Sequence, residues 1–485
     1  MKILLVSPEV LPFAKTGGLA DVTGALPKEL EKLGVEVKVM MPRYKTINED
    51  NFKIEKIDMN VNVPIGAEAK SGNLSKGRTG RNVDVFFIGN EEYFDRDGLY
   101  GDISGDYKDN LQRFTFFCRG CLEALKLIDW KPDIIHCHDW QSGLVPAYLK
   151  TIYRNDPFYR DINTVFTIHN LAYQGNYPPD MYYITGLSWE EFVFEKIEYY
   201  GKFSLIKAGI VYSDFITTVS ETYSKEIQTK DFGCGLEGVL EWRAKDLYGI
   251  INGIDYTIWN PEIDGLIEKQ YSLKTVEDKV INKEKLLELS GLPVIENRRV
   301  PLIGMISRLA EQKGFDLIEG CIEDLMALDI QFIILGTGEE KYHNLLNSMN
   351  QKFPEKIAIH LKFDEGLAHL IYAGSDMFVM PSKYEPCGLG QLIAMKYGTV
   401  PIVHKTGGLA DTVKEFSLNS KIGNGFVFEV YLPNELISTL KRALNLYNDS
   451  KSWKILTSNC MKSDFSWKES AKKYLELFKK LKSEI

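Results

Sequence analysis

The sequence predicts an α/β protein built from two doubly wound domains, each with a parallel β-sheet covered by helices on both faces. Short β-branched runs alternate with longer helical patterns along all 485 residues, as in chains whose strands are buried on both faces. The length is also about twice what one ordinary hydrophobic core needs, so two domains are expected.

The expected strands form two series that meet near residues 245–250, which predicts domains at 1–247 and 248–460. The first series is 3–7, 35–41, 83–88, 133–137, 164–169 and 215–220. The second series is 248–251, 302–307, 331–335, 357–361, 377–381 and 400–403. Ligands of doubly wound sheets bind at the carboxyl ends of the strands, and the unusual residue clusters of this chain follow those ends.

The bulk composition excludes several classes of protein. The apolar run at residues 3–6 is too short for a secretory signal, and no run approaches the ~20 apolar residues of a membrane span, so a cytoplasmic protein is expected. A net charge of −9 without a basic run argues against nucleic acid or membrane as partner. Cys118 and Cys121 have redox-motif spacing but lie in a helical run, which favours buried thiols. The sequence carries no signal for an oligomeric state.

A seven-residue segment, Lys-Thr-Gly-Gly-Leu-Ala-Asp, starts at Lys15 and recurs letter for letter at Lys405. Each copy follows a predicted strand and opens a helix. The paired glycines of the first copy, Gly17 and Gly18, free backbone N–H groups at the positive helix end, which suits a phosphate or sugar oxygen. Ligand contact is favoured for the first copy, with Lys15 beside a diphosphate. A shared loop geometry without ligand is favoured for the second.

A cationic pair, Arg308 and Lys313, lies in the loop after the predicted strand 302–307. A planar guanidinium and a compact ammonium suit the neutralisation of a leaving diphosphate. The alternative is a surface charge pair with Glu311. The segment from Gly336 to Gly338 also follows a strand and is the second predicted nucleotide-side loop.

The segment 381–391 follows another strand and contains Glu385 just before a glycine-bearing helix start. The carboxylate can accept hydrogen bonds from sugar hydroxyls, while the backbone amides of Cys387, Gly388 and Leu389 face phosphates. A helix-capping glutamate is the alternative.

The cluster His-Cys-His-Asp-Trp at 136–140 has the composition of a metal site, but adjacent histidines on one strand without a second cluster make a poor zinc site. No metal is therefore expected. Asp139 for hydroxyls and Trp140 for an apolar sugar face suit a carbohydrate better, and His169 with Asn170 adds two hydroxyl partners.

The segment 233–238 matches the dinucleotide pattern G-x-G-x-x-G, and Asp255 follows at a plausible distance. That pattern requires a strand running directly into the glycines. Here a helical segment, 221–228, precedes them instead, so an NAD site is rejected.

Taken together, these segments resemble the ADP-glucose-dependent glycogen and starch synthases over essentially the whole chain. The segments that carry the resemblance are Lys-Thr-Gly-Gly-Leu-Ala-Asp at Lys15, His-Asp-Trp-Gln-Ser-Gly at His138, Ile-His-Asn-Leu-Ala-Tyr-Gln-Gly at Ile168, Asn-Gly-Ile-Asp at Asn252, Arg308 with Lys313, and Glu-Pro-Cys-Gly-Leu at Glu385.

The resemblance implies two Rossmann-like domains facing a deep cleft, the glycosyltransferase B-type fold. The N-terminal domain would hold the acceptor and the C-terminal domain the nucleotide sugar, and the last segment, 461–485, would be a helix that crosses back to the N-terminal domain. The implied reaction adds glucose from ADP-glucose to the non-reducing end of an α-1,4-glucan such as glycogen. It retains the α anomer and uses neither a metal nor another cofactor.

The resemblance also implies roles for single residues. Arg308 and Lys313 would stabilise the departing ADP, and His169 would lie near glucose O6 with its carbonyl facing the anomeric carbon. Phe363, after the strand 357–361, is the candidate to stack on adenine. The predicted site comprises catalytic Glu385, His169, Arg308 and Lys313; donor-binding Lys15, Gly17, Gly18, Asn252, Gly336, Gly338, Phe363, Cys387, Gly388 and Leu389; and acceptor-binding Asp21, Asp139, Trp140 and Asn170.

Two positions depart from the family pattern. Related transferases often have a second glutamate where this chain has Ile393, and many synthases have threonine where it has Gly390. Both changes concern donor affinity rather than the type of reaction. The competing hypotheses are a non-catalytic glucan-binding scaffold, a related transferase that uses UDP-glucose, a nicotinamide dehydrogenase, and a phosphorylase-like enzyme with pyridoxal phosphate.

Overall fold

A computed structural model describes residues 1–102, 104–295 and 298–484. The chain divides into two compact units. The first unit is Met1–Asn252 together with the C-terminal segment from Trp467 onward, and the second is Gly253–Ser466.

The first unit is built on a nine-stranded sheet in the order β14-β13-β9-β8-β1-β2-β5-β4-β3. From β14 to β5 neighbouring strands run parallel, and β4 and β3 add an antiparallel hairpin. The strands of this unit are β1 (Lys2–Val6), β2 (Glu36–Pro42), β3 (Glu55–Ile65), β4 (Glu68–Thr79), β5 (Val83–Gly89), β6 (Gly101–Asp102), β7 (Gly105–Asp106), β8 (Ile134–His138), β9 (Asn163–Ile168), β10 (Asn176–Tyr177), β11 (Glu198–Tyr199), β12 (Lys202–Ser204), β13 (Phe215–Thr218) and β14 (Leu247–Gly249).

Helices connect these strands and cover the sheet, whose central strands β1 and β8 are almost wholly buried. Continuous apolar runs in these strands are what a parallel sheet covered on both faces requires. The helices are α1 (Gly18–Lys32), α2 (Glu91–Phe94), α3 (Asn110–Leu127), α4 (Leu144–Lys150), α5 (Leu205–Tyr212), α6 (Glu221–Glu226) and α7 (Glu237–Trp242).

The second unit has a six-stranded sheet in the order β17-β16-β15-β18-β19-β20, parallel throughout. Its strands are β15 (Leu302–Ile306), β16 (Gln331–Leu335), β17 (Ile357–His360), β18 (Met377–Met380), β19 (Val400–His404) and β20 (Phe426–Phe428). Its helices are α8 (Lys279–Leu289), α9 (Phe315–Gly320), α10 (Ile322–Ala327), α11 (Glu340–Lys352), α12 (Glu365–Gly374), α13 (Gly390–Lys396), α14 (Gly407–Thr412), α15 (Pro433–Tyr447) and α16 (Ser450–Lys462).

The last helix, α17 (Trp467–Ser483), is part of the first unit. Its buried side chains, including Tyr474 and Phe478, recur at the three- to four-residue spacing of an amphipathic helix. At its start Ser470 Oγ donates a hydrogen bond to the carbonyl of Ile251 (2.6 Å). Near its end Lys482 Nζ lies 2.7 Å from an Asp133 oxygen.

The predicted fold class, α/β with two Rossmann-like doubly wound units, is confirmed, and each predicted strand is present. One assignment was wrong. The strand predicted at 248–251 opened the second series, but β14 pairs in parallel with β13 and ends the first sheet. The β3–β4 hairpin was missed because β3 and β4 alternate exposed and buried residues instead of forming apolar runs. Across the described residues, every helix is too short or too polar to traverse a bilayer.

Candidate active site

Apart from Asn252, which follows β14, the predicted site residues of the first unit follow β1, β8 and β9, which are neighbours in the sheet. The chain leaves β1 toward β2 on one side, whereas β8 and β9 lie on the other side. Such a reversal of strand order opens a crevice at the carboxyl ends, where doubly wound proteins bind ligands. We call this edge of the first unit, with the loops that follow these three strands, the first half-site.

The glycine loop of the first half-site is organised by Glu9, a buried carboxylate that sequence reasoning missed. One oxygen accepts hydrogen bonds from the backbone N–H groups of Thr16 (2.5 Å) and Gly17 (3.2 Å). The other accepts from the hydroxyls of Thr16 (2.6 Å) and Tyr100 (2.7 Å). An acidic residue just after a buried strand and just before the glycines was the available sequence signal.

Lys15 forms an ion pair with Asp21, with Nζ and Oδ1 2.7 Å apart. Burial nevertheless raises the pKa of Asp21, and the nearby charge of Glu9 adds to the effect. The structure thus places Asp21, predicted to bind acceptor, beside the predicted donor-binding lysine. At Gly17, which precedes α1, an added Cβ would meet no atom within 4 Å. The helix start that Gly18 begins is therefore open on this side.

Asp139 adopts a conformation that is rare for a residue with a side chain, with φ at +57°. Its Oδ1 accepts a hydrogen bond from the backbone N–H of His169 (2.7 Å). Burial raises the pKa of the Asp139 carboxyl to about 7. The side chain that we predicted to accept sugar hydroxyls therefore fixes the turn that presents His169.

His169 is the outermost of three stacked histidines. His138 Nδ1 and His169 Nε2 share a hydrogen bond of 3.0 Å, and the His136 ring lies 4.2 Å from that of His138. Behind them, Tyr474 and Phe478 of α17 contact the His136 ring, at 5.5 and 5.6 Å between centroids. Burial lowers the pKa of His136 and of His169 to about 3, so all three rings are held neutral.

Trp140 is a core residue in this structure, which corrects the prediction that its indole faces a sugar. The side chain is only 8% exposed, packs edge-on against Phe114, and lies against Gly175, where a Cβ would approach the ring to 2.4 Å. Asn170 is half-buried, and its Oδ1 accepts a hydrogen bond from the backbone of Ala172. Asn252 is buried, and its Oδ1 accepts no hydrogen bond within the described part of the chain.

In the second unit the strand order reverses between β15 and β18. Lys313 follows β15 and Glu385 follows β18, and their side chains form an ion pair with Nζ and Oε2 2.6 Å apart. Ser382 Oγ donates a second hydrogen bond to Oε2 (2.9 Å). We call this edge of the second unit, with its strand-end loops, the second half-site.

This pairing decides between the interpretations that the sequence left open. Lys313 pairs with Glu385 and not with Glu311. The helix that follows Glu385, α13, has Leu389 at its N-cap position and no side-chain capping bond, so Glu385 is not a helix cap. Both partners are largely buried, where a charge is retained only if it is paired.

The second copy of the repeat supports the Glu385 loop from behind. Gly408 N donates a hydrogen bond to the carbonyl of Glu385 (3.0 Å). A Cβ at Gly407 would lie 2.0 Å from that same carbonyl oxygen, and one at Gly408 would lie 2.1 Å from the carbonyl oxygen of Cys387. The lysine of this copy, Lys405, pairs with Glu429. Close backbone packing therefore requires both glycines, and Gly407 also takes a left-handed φ of 43°.

Gly336 and Gly338 lie against the loop that carries Arg308. A Cβ at Gly336 would come within 1.9 Å of the carbonyl oxygen of Ser307, and one at Gly338 within 2.3 Å of that of Leu309. The backbone N–H of Leu309 donates to the carbonyl between the two glycines. These glycines hold Arg308 at the carboxyl end of β15, where its side chain is exposed.

The remaining predicted donor residues also lie at strand ends of this sheet. Phe363, between β17 and α12, is 87% exposed. Cys387 is buried, Gly388 takes a left-handed φ of 71°, and Leu389 leads into α13. The second half-site thus presents one exposed aromatic ring, an arginine and the Lys313–Glu385 pair at one edge.

Two further predictions concern motifs outside the half-sites. Gly233 and Gly235 lie between α6 and α7, and Gly238 lies within α7. A helix and not a strand precedes these glycines, which agrees with rejecting an NAD site. Cys118 and Cys121 are buried in α3 and reduced, and burial raises the pKa of both thiols. Among the described residues, no group of three or more His, Cys, Asp or Glu side chains is placed to hold a metal ion.

Comparison with known proteins assigns this arrangement to a family. A family model of the starch synthase catalytic domain matches residues 2–242, and one of glycosyl transferases group 1 matches residues 294–456. A glycogen synthase of Syntrophotalea carbinolica is 47% identical over 480 residues, which covers 99% of each chain. A glycogen synthase of Fervidobacterium nodosum is 46% identical over 491 residues and covers 100% of each chain.

Solved structures agree with the sequence relatives. The catalytic domain of starch synthase IV from Arabidopsis thaliana, bound to ADP and acarbose, has a TM-score of 0.91, 34% identity and 99% coverage of both chains. A sucrose-phosphate synthase from Thermosynechococcus elongatus has a TM-score of 0.61 with 15% identity and 100% coverage of both chains, a similarity of fold alone. The chain is a glycosyltransferase and belongs to the glycogen and starch synthase family.

Proposed function

We propose that this glycogen synthase transfers glucose from ADP-glucose to the non-reducing end of an α-1,4-glucan, with retention of the α anomer, in the cytoplasm and without a metal or other cofactor. The observation that carries the proposal is the Lys313–Glu385 ion pair at the strand-order reversal of the second sheet. It puts a cation and a carboxylate together in a chain 47% identical to a glycogen synthase.

The two charges serve opposite sides of one bond. Breaking the anomeric C–O bond builds negative charge on the departing ADP and positive charge on the sugar ring. Lys313 and Arg308 would stabilise the diphosphate, while the Glu385 carboxylate would stabilise the ring. Because Glu385 is already ion-paired and largely buried, it is fixed before the donor arrives and need not reorganise during the reaction.

The first unit would supply the remaining contacts. Lys15 and the open helix start at Gly17 and Gly18 suit a diphosphate. His169 would bind the sugar through a neutral imidazole, since burial lowers the pKa of His169 to about 3. The backbone carbonyl of His169 would face the anomeric carbon. The Oδ1 of Asn252, which has no hydrogen-bond partner among the described residues, would accept a hydrogen bond from a hydroxyl of the same sugar.

The test is nucleoside diphosphate release with glycogen as acceptor, comparing ADP-glucose with UDP-glucose. We expect ADP release that depends on glycogen, with an α-1,4-linked product and a kcat/KM at least tenfold higher than that with UDP-glucose. A higher value for UDP-glucose would overturn the donor assignment. Glycogen binding without any release of ADP would support the non-catalytic scaffold instead.

A further inference from the structure

The first unit contains a cavity of about 860 Å³ that none of the predicted site residues lines. Its walls include Phe194, Tyr199, Tyr200 and Trp242, and its volume is within the range of small-molecule sites. We call it the aromatic cavity.

The aromatic cavity keeps large apolar rings in contact with water. Phe194 is 73% exposed, Tyr200 77% and Trp242 70%. Single exposed aromatic residues need no explanation, but several around one cavity mark a binding surface. Exposing them forgoes the free energy that burial of each ring would contribute.

Part of this wall is held in place before any ligand binds. Tyr199 donates a hydrogen bond to the carbonyl of Cys234 (2.6 Å), and the Tyr199 and Tyr200 rings pack edge to face 4.9 Å apart. Gly235, with a left-handed φ of 81°, lies directly against both rings. A rigid aromatic wall loses little conformational entropy when a ligand stacks on it.

The charged side chains that line the cavity are four carboxylates and two ammonium groups, Lys207 and Lys230, so the lining has a net negative charge. Glu195, Glu198, Glu237 and Glu241 line it, and Glu237 Oε2 is buried without a hydrogen-bond donor among the described residues. The buried Lys207 beneath them donates to the carbonyls of Phe194 and Glu198 (2.5 and 2.6 Å). This lining disfavours a phosphate or nucleotide. Aromatic faces with carboxylate acceptors suit a neutral ligand with apolar CH faces and many hydroxyls.

The cavity also adjoins the loop that leaves the first half-site. Gln174, four residues after Asn170, donates from Nε2 to the carbonyl of Cys234 (3.0 Å), in the segment beside the aromatic wall. A glucan acceptor is a polymer, so only its last residue reacts while the rest must lie elsewhere on the protein. We propose that the aromatic cavity binds a segment of the α-1,4-glucan acceptor away from its reacting end. This inference rests on the proposed function.

The test measures maltoheptaose binding by calorimetry in the absence of donor. We expect Trp242→Ala and Tyr200→Ala each to weaken binding roughly three- to tenfold, while Trp242→Phe retains most of it. Trp189→Ala is the matched control, because Trp189 is 60% exposed in the same unit and does not line the cavity. Thermal melts on every variant verify folding.

Steady-state kinetics add a second readout. The two alanine variants should raise KM for glycogen with little change in kcat, since the reacting end lies elsewhere. Wild-type maltoheptaose affinity in both variants would overturn the proposal. So would tight binding of tetramethylammonium, which would indicate a cation cage. A wild-type protein that binds maltoheptaose through Trp242 but releases no ADP would refute the proposed function and leave the cavity assignment standing.

Discussion

Glu9 is a buried carboxylate that fixes the shape of the glycine loop through hydrogen bonds. Both of its oxygens are occupied, one by two backbone N–H groups and the other by two hydroxyls. The bonds end on Thr16, Gly17 and Tyr100, so the carboxylate links the glycine loop to a distant part of the unit. Its role in the reaction would be positioning.

We expect Glu9→Ala to raise KM for ADP-glucose about tenfold, because the backbone N–H groups of Thr16 and Gly17 lose their acceptor, at about 0.5–1.5 kcal/mol for each hydrogen bond. Glu9→Gln should stay within a few-fold of wild type. Its carbonyl can serve the N–H groups, and its NH₂ can donate to the hydroxyls of Thr16 and Tyr100. Donor titration on the two variants, with Tyr100→Phe as the single-bond control, checks this. An unchanged KM in Glu9→Ala would show that the loop keeps its shape without the carboxylate.

Glu385 is the residue on which we expect turnover to depend most. Glu385→Gln keeps the shape of the side chain and removes the charge that would stabilise the cationic ring. The kcat should fall by about 10² or more, whereas donor affinity should stay within roughly tenfold. Ser382→Ala is the control, since it removes only one hydrogen bond to the same oxygen. A kcat for Glu385→Gln within a few-fold of wild type would refute this role.

Asp139 predicts a pH dependence of stability with a definite sign. Its pKa is about 7 in the folded protein, against 3.8 for an ordinary aspartate. Between about pH 4 and pH 7 the folded state therefore holds a proton that the unfolded state has released, so this group's contribution to stability falls as pH rises. Asp139→Asn cannot titrate. Relative to wild type, it should gain stability from pH 5 to pH 8 in urea unfolding, and a constant difference would contradict the prediction.

At the scale of elements, α17 packs against the innermost ring of the histidine stack, His136. We expect Phe478→Ala to destabilise the protein by about 3–5 kcal/mol, as for other fully buried phenylalanines. It should also lower kcat at temperatures where the variant is folded. His136 loses its packing partner, and we expect a displacement of the His136 ring to move His138 and, through their hydrogen bond, His169. Lys479→Ala, on the exposed side of α17, is the control for both measurements. If Phe478→Ala is destabilised but keeps the wild-type kcat, the packing of α17 does not influence turnover.

The elements that sequence reasoning predicted best are the central strands, because a strand buried on both faces must be apolar along its length. Two elements were predicted less well. The β3–β4 hairpin is largely exposed on one face and has no apolar run, and a strand as short as β14 carries nothing local that says which sheet it joins.

The candidate site was predictable to the extent that strand ends are predictable, so the sequence located Lys313 and Glu385 after strands that the structure places side by side. The packing of α17 on His136 and the burial of Trp140 depend on partners distant in sequence, and no local pattern encodes those contacts. Glu9 did carry a local signal, as an acidic residue between a buried strand and the glycine loop, but its bond to Tyr100 is also distant in sequence.

At the scale of the whole molecule, the repeated segment is used in two ways. Both copies open a helix, α1 in the first unit and α14 in the second. The space around their first glycines differs, since a Cβ at Gly17 would meet nothing within 4 Å, whereas one at the equivalent Gly407 would lie 2.0 Å from the carbonyl oxygen of Glu385. One sequence therefore serves an open surface in one unit and a packed loop in the other.

We therefore expect Gly17→Ala to keep the wild-type melting temperature and to change only KM for ADP-glucose. Gly407→Ala, at the equivalent position, should lower stability by about 1–3 kcal/mol, because its Cβ would overlap the carbonyl of Glu385, and should reduce kcat by displacing the loop that carries Glu385. Melting curves and steady-state kinetics on the two variants distinguish these outcomes. Equal stability losses in both would mean that the copies are equivalent after all.

The position of α17 in the chain has a consequence for biosynthesis. The helix belongs to the first unit, but the ribosome makes it only after the entire second unit. At 5–20 residues per second, the nascent first unit waits roughly 10–40 s for Tyr474 and Phe478 to arrive. During that interval the histidine stack and the groove for α17 are uncovered, which makes this surface a natural substrate for chaperones.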